Sequence, residues 1–485
     1  MYKTETTATP FLLFIIILSV YRAFMLYTIN PDLYIDEAYY WVWSQNFDWG
    51  YYSKPPMIAW VISLATGLAG ESSLVMKSIS ILLYPITSVA LYLTAKELFN
   101  DKIALFSGML FFTSPAVSLS SFIISTDVVL LFFWALTLYA FVRAIKSDKL
   151  IFWILAGVFG GLGLLSKYNM ILFVVSAFLF LIFSKEHRYL LFYRRFYLTL
   201  LIALLIFLPN LLWNYNNGFI SFVHLYEISQ VEKKLFHFDK LFEFLGAQFG
   251  VFGPISFALL LYAFAVVKKQ YKDDNFMMFF WFSFVFLAVI SLQAFLARAF
   301  ANWAAPTYVA GSILVASLLI QKNRTKLLQW AISINILLMV LMYHYEPIMK
   351  LAGVELQKKN DPFVRIKGWK EFGKKITKVY EHYPNHLLLA NSRKEVSELI
   401  YYVYPHPFNT KIFNPHKRMQ NYYHQTQDLN NDRGKNFIYI SRYKSIKNMS
   451  KYFEEIDYIK QIKIPIHKNF SREYHIFELK NFKGY

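Results

Sequence analysis

Adjacent carboxylates, Asp36 and Glu37, head an aromatic stretch that runs Ala38-Tyr39-Tyr40-Trp41-Val42-Trp43. Lys54-Pro55-Pro56 follows eighteen positions after Asp36. One carboxylate of such a pair can take a proton from a hydroxyl or stabilise positive charge developing on a nearby carbon. A lysine can stabilise the negative charge of a departing group. Three more polar residues sit where apolar runs begin or end: Asp127 after Ser125-Thr126, Lys167 in Leu165-Ser166-Lys167-Tyr168, and Arg298. Blander readings stand beside these. Asp127 could cap a helix, Lys167 and Arg298 could reach from span ends to the interface, and Lys54 could be a solvated loop residue. His224 and His237 lack metal-ligand spacing, so no metal site is assigned.

The elements that must position these groups are membrane helices. The chain has 485 residues and is 56% hydrophobic and 19% aromatic, with a mean hydropathy of +0.35. Apolar runs long enough to span a bilayer core recur through the first 345 positions. The spans are predicted at 10–29, 74–95, 103–120, 126–144, 151–166, 169–184, 196–213, 248–267, 276–295, 302–320 and 327–344. The first is read as a retained span rather than a signal peptide. The fifth is short and Gly-rich, which suits close helix packing. In the loop after the first span, Tyr40 and Trp43 share a helix face, and Trp and Tyr favour the membrane–water interface.

Charge orients these spans. Lys and Arg crowd alternate short loops: Lys96 and Lys102; Arg143, Lys146 and Lys149; Lys185, Arg188, Arg194 and Arg195; Lys268, Lys269 and Lys272; Lys322, Arg324 and Lys326. The other loops are poorer, with Lys54, Lys167, the group Lys233, Lys234 and Lys240, and Arg298. The positive-inside rule places the first set and the amino terminus in the cytoplasm. Asp36, Lys54, Asp127, Lys167 and Arg298 then all fall on the external side. The net charge is +19, and 26 Lys+Arg against 14 Asp+Glu in 346–485 account for +12 of it. Basic short loops and a basic juxtamembrane region suit anionic headgroups, so nucleic acid is not expected as a partner. The absence of cysteine excludes disulfides and thiolate metal sites.

After about residue 346 the pattern changes. Helices are predicted at Trp369–Tyr380 and 394–402, and strands at Leu387–Ala390, 437–440, 458–466 and 474–479. The expected architecture is a mainly α, polytopic membrane module (1–345, about eleven spans, external loop 30–73) followed by an external α/β domain (346–485).

Asp36-Glu37-Ala38-Tyr39-Tyr40-Trp41 with Gly50-Tyr51-Tyr52-Ser53-Lys54-Pro55-Pro56 resembles the dolichyl-phosphate-mannose-protein mannosyltransferase superfamily. The closer likeness is to its bacterial branch, the lipid A aminoarabinose transferases and rhizobial galacturonosyltransferases. Ser125-Thr126-Asp127, Leu165-Ser166-Lys167-Tyr168, Pro209-Asn210-Leu211-Leu212-Trp213-Asn214, Arg298 to Trp303, and Asp361 to Trp369 extend it over essentially the whole chain. The resemblance implies the C-type glycosyltransferase fold in a bacterial inner membrane. It implies inverting transfer from a polyprenyl-phosphate-linked sugar to a periplasmic acceptor: lipid A, lipopolysaccharide core or another envelope glycan, with protein as the alternative. By it, Asp36 is the catalytic acid-base residue, Glu37 orients the acceptor, and Asp127 is a second carboxylate. Lys54 and Arg298 bind the carrier phosphate, with Lys167 a third cation. Tyr39 is grouped with the substrate contacts, although the aminoarabinose transferases are expected to carry arginine there. No cofactor is assigned, and a divalent metal is left open. The rival class is a transporter or flippase, whose charges lie near the midplane of paired halves; here they lie at one face and no repeat is visible.

Overall fold

The computed structural model describes residues 7–229 and 236–485; Lys233 and Lys234 lie outside them. The chain divides into two compact units: Met1–Ile29, Lys54–Val61 and Leu74–His344 in one, and Asn30–Ser53, Ile62–Ser73 and Tyr345–Tyr485 in the other.

The larger unit is helical. Six described helices are long and apolar enough to cross a membrane: Ala8–Ile29, Ser73–Leu98, Thr126–Ser147, Arg194–Asn216, Asp274–Leu296 and Thr325–Tyr343. A seventh crossing is added if the bent pair Phe238–Val251 and Pro254–Ala265 is taken as one span. The other predicted spans lie on shorter apolar helices, such as Leu150–Ser166 and Thr307–Gln321.

Proline breaks two of the predicted spans. The run 103–120 forms Asp101–Thr113 and Pro115–Ser120, because Pro115 has no N–H to continue the ladder. The run 248–267 crosses a bend of 118°, where Gly253 takes φ +103° ahead of Pro254. Close helix contact follows where glycine removes the side chain. A Cβ on Gly157 would lie 2.7 Å from the Thr199 carbonyl oxygen, and one on Gly161 would lie 2.7 Å from Ile206 Cβ. The helix Leu150–Ser166 therefore packs through its Gly-x-x-x-Gly face onto Arg194–Asn216, as small residues allow in membranes.

In the smaller unit five strands order as β2-β1-β3-β5-β4: β1 Leu387–Ala390, β2 Lys411–Ile412, β3 Phe437–Ser441, β4 Phe453–His467 and β5 Phe470–Phe482. β1 is parallel to β2 and β3, whereas β3–β5 and β5–β4 are antiparallel. Parallel pairing needs crossovers, and the helix Arg393–Tyr402 supplies the one between β1 and β2. The helix Trp369–Tyr380 buries Trp369, Phe372, Ile376 and Val379, a three–four spacing that lines one face. Its Gly373 lets the backbone of Tyr402 approach, since a Cβ there would sit 2.2 Å from that carbonyl oxygen.

Candidate functional site

In the smaller unit, Asp36 stands in the first turn of the helix Ile35–Ser44, where the helix dipole favours negative charge. Its Oδ1 forms an ion pair with Arg393 Nη2 at 2.9 Å, and both side chains are 40% exposed. Glu37 is fully buried, and its Oε2 accepts the Tyr34 N–H at 2.7 Å. That closes a capping box at the helix start and fixes the direction in which Asp36 leaves the helix. Asp32 ties the same loop to the domain, its Oδ2 accepting from the Trp369 N–H at 2.7 Å. The Tyr402 hydroxyl accepts from the Leu33 N–H, also at 2.7 Å.

Tyr39 is fully buried. Its hydroxyl accepts from the Tyr422 N–H at 2.7 Å, and burial pushes its phenol far above the usual range. The Arg393 guanidinium lies 4.8 Å over its ring. Tyr39 thus supports the cation that meets Asp36. Burial lowers the Arg393 pKa and the Asp36 carboxylate raises it, the net standing above the ordinary value. The aromatic face predicted for this helix is present: Tyr40 and Trp43 lie 5.1 Å apart, and Trp43 stacks on Tyr51 at 4.9 Å.

Arg393 was not singled out in the sequence. The available signal was its place just after a parallel strand, at the start of the following helix, where α/β sheets commonly present ligand-binding groups.

In the larger unit, Asp127 lies in the first turn of Thr126–Ser147. Its Oδ1 accepts from Lys167 Nζ at 2.5 Å, and its Oδ2 accepts from Asn302 Nδ2 at 2.8 Å. Both charged partners are nearly buried, at 12% and 14% exposure. Ser125 makes no side-chain cap bond. The loop leading to Asp127 is held by side chains from three helices. Arg22 donates to the Phe112 carbonyl at 2.7 Å and to Ser118 Oγ at 3.0 Å. Lys77 donates to Phe122 O at 3.0 Å, Ser80 to Ile123 O at 2.8 Å, and Tyr343 to Ser118 O at 2.6 Å. The proline break frees carbonyls that must be satisfied inside a membrane protein, and these donors meet that need. The Arg298 guanidinium lies 5.1 Å over Phe300. Lys54 lies in the loop ahead of the helix Met57–Ala69.

Among the described residues one group has metal-ligand character, Glu186, His187 and Asp274. None of the candidate site residues belongs to it. Asp274 already accepts from Ser184 Oγ and the Glu186 N–H. Asp36 and Asp127 each meet a cation of the chain itself.

Residues 53–213 match the family model described as dolichyl-phosphate-mannose-protein mannosyltransferase. The chain is 36% identical over 312 residues to the lipid A galacturonosyltransferase RgtD of Rhizobium johnstonii, covering 64% of this chain and 66% of that protein. Over 190 residues it is 31% identical to the lipopolysaccharide core galacturonosyltransferase RgtB of the same organism, covering 39% of this chain and 38% of the relative. The chain therefore spans about two thirds of the first relative and well under half of the second. Its fold matches the crystal structure of ArnT from Cupriavidus metallidurans bound to undecaprenyl phosphate, with a TM-score of 0.65 at 13% identity, covering 97% of this chain and 98% of that one. That likeness establishes the fold: a mainly helical membrane protein of the C-type glycosyltransferase architecture with a carboxy-terminal α/β domain. On its motifs, its family match and its fold together, the chain is a relative of the dolichyl-phosphate-mannose-protein mannosyltransferase superfamily, on the side of its bacterial galacturonosyltransferases.

Proposed function

We propose that the chain is an inverting glycosyltransferase that moves a monosaccharide from a polyprenyl-phosphate carrier to a lipid A or lipopolysaccharide acceptor. One observation carries the reading: a partly exposed carboxylate, Asp36, held at a helix start against a fixed guanidinium. The similarity to RgtD and RgtB supports the acceptor class, and the fold shared with ArnT supports the lipid carrier.

In this reaction the acceptor hydroxyl oxygen attacks the anomeric carbon from the face opposite the phosphate. The new C–O bond forms as the bond to the phosphate oxygen breaks, and polyprenyl phosphate leaves with the electron pair. Asp36 takes the hydroxyl proton, and a single displacement inverts the configuration. We assign Glu37 to holding the helix start and Tyr39 to supporting Arg393. Lys54 and Arg298 are assigned to the carrier phosphate, whose growing charge they offset. Asp127 sets the direction of the Lys167 ammonium. The loop charges support an inner-membrane protein with a cytoplasmic amino terminus and Asp36 on the periplasmic side.

The test replaces Asp36 with Asn, which keeps size and removes the base. Transfer should fall about a hundred- to ten-thousandfold while the amount of protein in the membrane is unchanged; near-normal turnover would remove Asp36 from the chemistry. Mass spectrometry of lipid A, core glycan and membrane proteins, with and without the gene, reads the acceptor. A mass change confined to proteins would overturn the glycolipid assignment.

A further inference from the structure

We infer that Lys394, Arg442 and Arg472 form an anion site in the smaller unit, and that its ligand is a phosphate monoester. The site uses neither the Asp36–Arg393 pair nor Lys54 and Arg298, and it does not rest on the glycosyltransferase reading.

Sheet topology brings the three cations together. β1 is followed by the helix Arg393–Tyr402, which leads outward to β2, whereas β3 lies on the other side of β1. The strand order therefore reverses between β1 and β3. The carboxyl ends of such parallel neighbours flank the crevice where α/β sheets bind ligands. Lys394 stands in the first turn of the helix after β1, and Arg442 directly follows β3. β5 runs antiparallel to β3 with His475 opposite Ser441, so Arg472 lies beyond the same strand end. Two of the three meet at the buried Trp369 ring: Arg472 Cζ lies 4.3 Å and Lys394 Nζ 4.9 Å from its centroid.

These cations outnumber their counter-charges. Arg442 pairs with Glu395, its Nη2 2.5 Å from Oε1. Arg472 uses Nε and Nη2 on the carbonyls of Lys367, Val364 and Arg365, which fix its direction without carrying a full charge. Lys394 Nζ makes no hydrogen bond or ion pair among the described residues and lies over the Trp369 ring. Glu398, one turn further along the helix, is fully buried, and burial holds it toward its neutral form. Asp32 is taken up by the Trp369 N–H and by Lys370. Glu395 is then the carboxylate that answers three cations, and two positive charges stand unmatched. Burial and the repulsion of Arg442 and Arg472 pull the Lys394 ammonium down to about 8, against the attraction of Glu395 and Glu398. An anion among the three would offset that repulsion.

The number and origin of the cations select the ligand. A planar carboxylate is met by one guanidinium fork, and a phosphodiester carries a single charge. A phosphate monoester presents three terminal oxygens and about two negative charges at neutral pH. That matches three cations converging from three elements with two charges unmatched.

The experiment measures binding by calorimetry to the full-length protein in neutral detergent at constant ionic strength. The probes are dihexanoyl phosphatidic acid, a glucosamine disaccharide 1-phosphate and inorganic phosphate, each lipid or sugar probe beside its dephosphorylated counterpart. The phosphorylated probes should bind and their counterparts should not. Lys394→Gln should weaken that binding about 10- to 100-fold, the range for a lost charged hydrogen bond, and Lys394→Arg should keep most of it. Because Lys394 is repelled by its neighbours, Lys394→Gln should unfold no lower than wild type, and phosphate should raise the unfolding temperature of wild type alone. Tighter binding of the phospholipid or of the sugar phosphate would identify the source of the group; equal binding of inorganic phosphate would identify free phosphate. Unchanged binding in Lys394→Gln would overturn the inference, as would binding lost in Lys54→Gln instead, which would assign the phosphate to the carrier residues.

Discussion

Asp127 uses both carboxylate oxygens inside the chain, one on Lys167 and one on Asn302. Two charges at 12% and 14% exposure have lost most of their water, so each depends on the other more than an exposed pair would. Removing one leaves the survivor uncompensated. Lys167→Gln and Asp127→Asn should each destabilise the chain by about 3–5 kcal/mol, and the double variant by less than the sum. Thermal unfolding of the three variants checks this; additive losses would mean that the two groups act independently. The sequence marked Asp127, Lys167 and Arg298 as separate candidates because each sits where an apolar run begins or ends. It did not show that Asn302 would reach Asp127 across 175 positions, since no local period encodes such a contact. Tyr39 is the reverse case. Its departure from the expected arginine was visible, but the cation standing over it comes from residue 393, and only the folded domain brings the two together.

The helix Trp369–Tyr380 and strand β1 form at the predicted bounds, because strong amphipathic periodicity and a short apolar run between turns are local signals. The two-residue strand β2 has no such signal and forms only because β1 offers it an edge. Proline breaks were legible as residues, yet the apolar runs around Pro115 and Pro254 read as continuous spans. The helix Arg393–Tyr402 carries a cost that sequence reasoning missed. Glu398 is fully buried, and neither carboxyl oxygen has a hydrogen-bond partner among the described residues. Burial raises its pKa well above the ordinary 4.5, opposed by Lys394 and Arg472 and reinforced by Asp32 and Glu37. The folded chain therefore keeps a proton that the unfolded chain releases above about pH 4.5. Stability is lost as pH rises through that window until the folded group ionises. Glu398→Gln cannot ionise, so its apparent unfolding temperature should match wild type near pH 4 and exceed it at pH 8. Parallel pH profiles for the two proteins would show that Glu398 is charged in the folded chain.

At the scale of the whole molecule, the proposed chemistry depends on which face of the membrane each loop meets. Lys and Arg concentrate in alternate short loops, and moving such charges outward across an energised membrane is unfavourable. Eleven predicted spans give that alternation, while length and composition by themselves identify six crossings among the described residues, or seven with the bent pair. The difference has a physical source. Helices broken by proline, or shortened where glycine allows tight packing, fall below the length of a free-standing span, yet protein neighbours can satisfy the backbone at their ends. The chain has no cysteine, so single cysteines can be placed without background. Asn46, Asn391, Ser147 and Asn323 are all exposed. Cysteines at Asn46 and Asn391 should react with a membrane-impermeant maleimide in intact spheroplasts, and those at Ser147 and Asn323 only after lysis. Labelling of Asn46 and Asn391 from opposite sides would make the number of crossings between them odd and end the eleven-span topology. Labelling of Ser147 from outside would turn the helix Thr126–Ser147 over. Asp127 would then sit at the cytoplasmic end of its helix, and its assignment to a periplasmic reaction would fail.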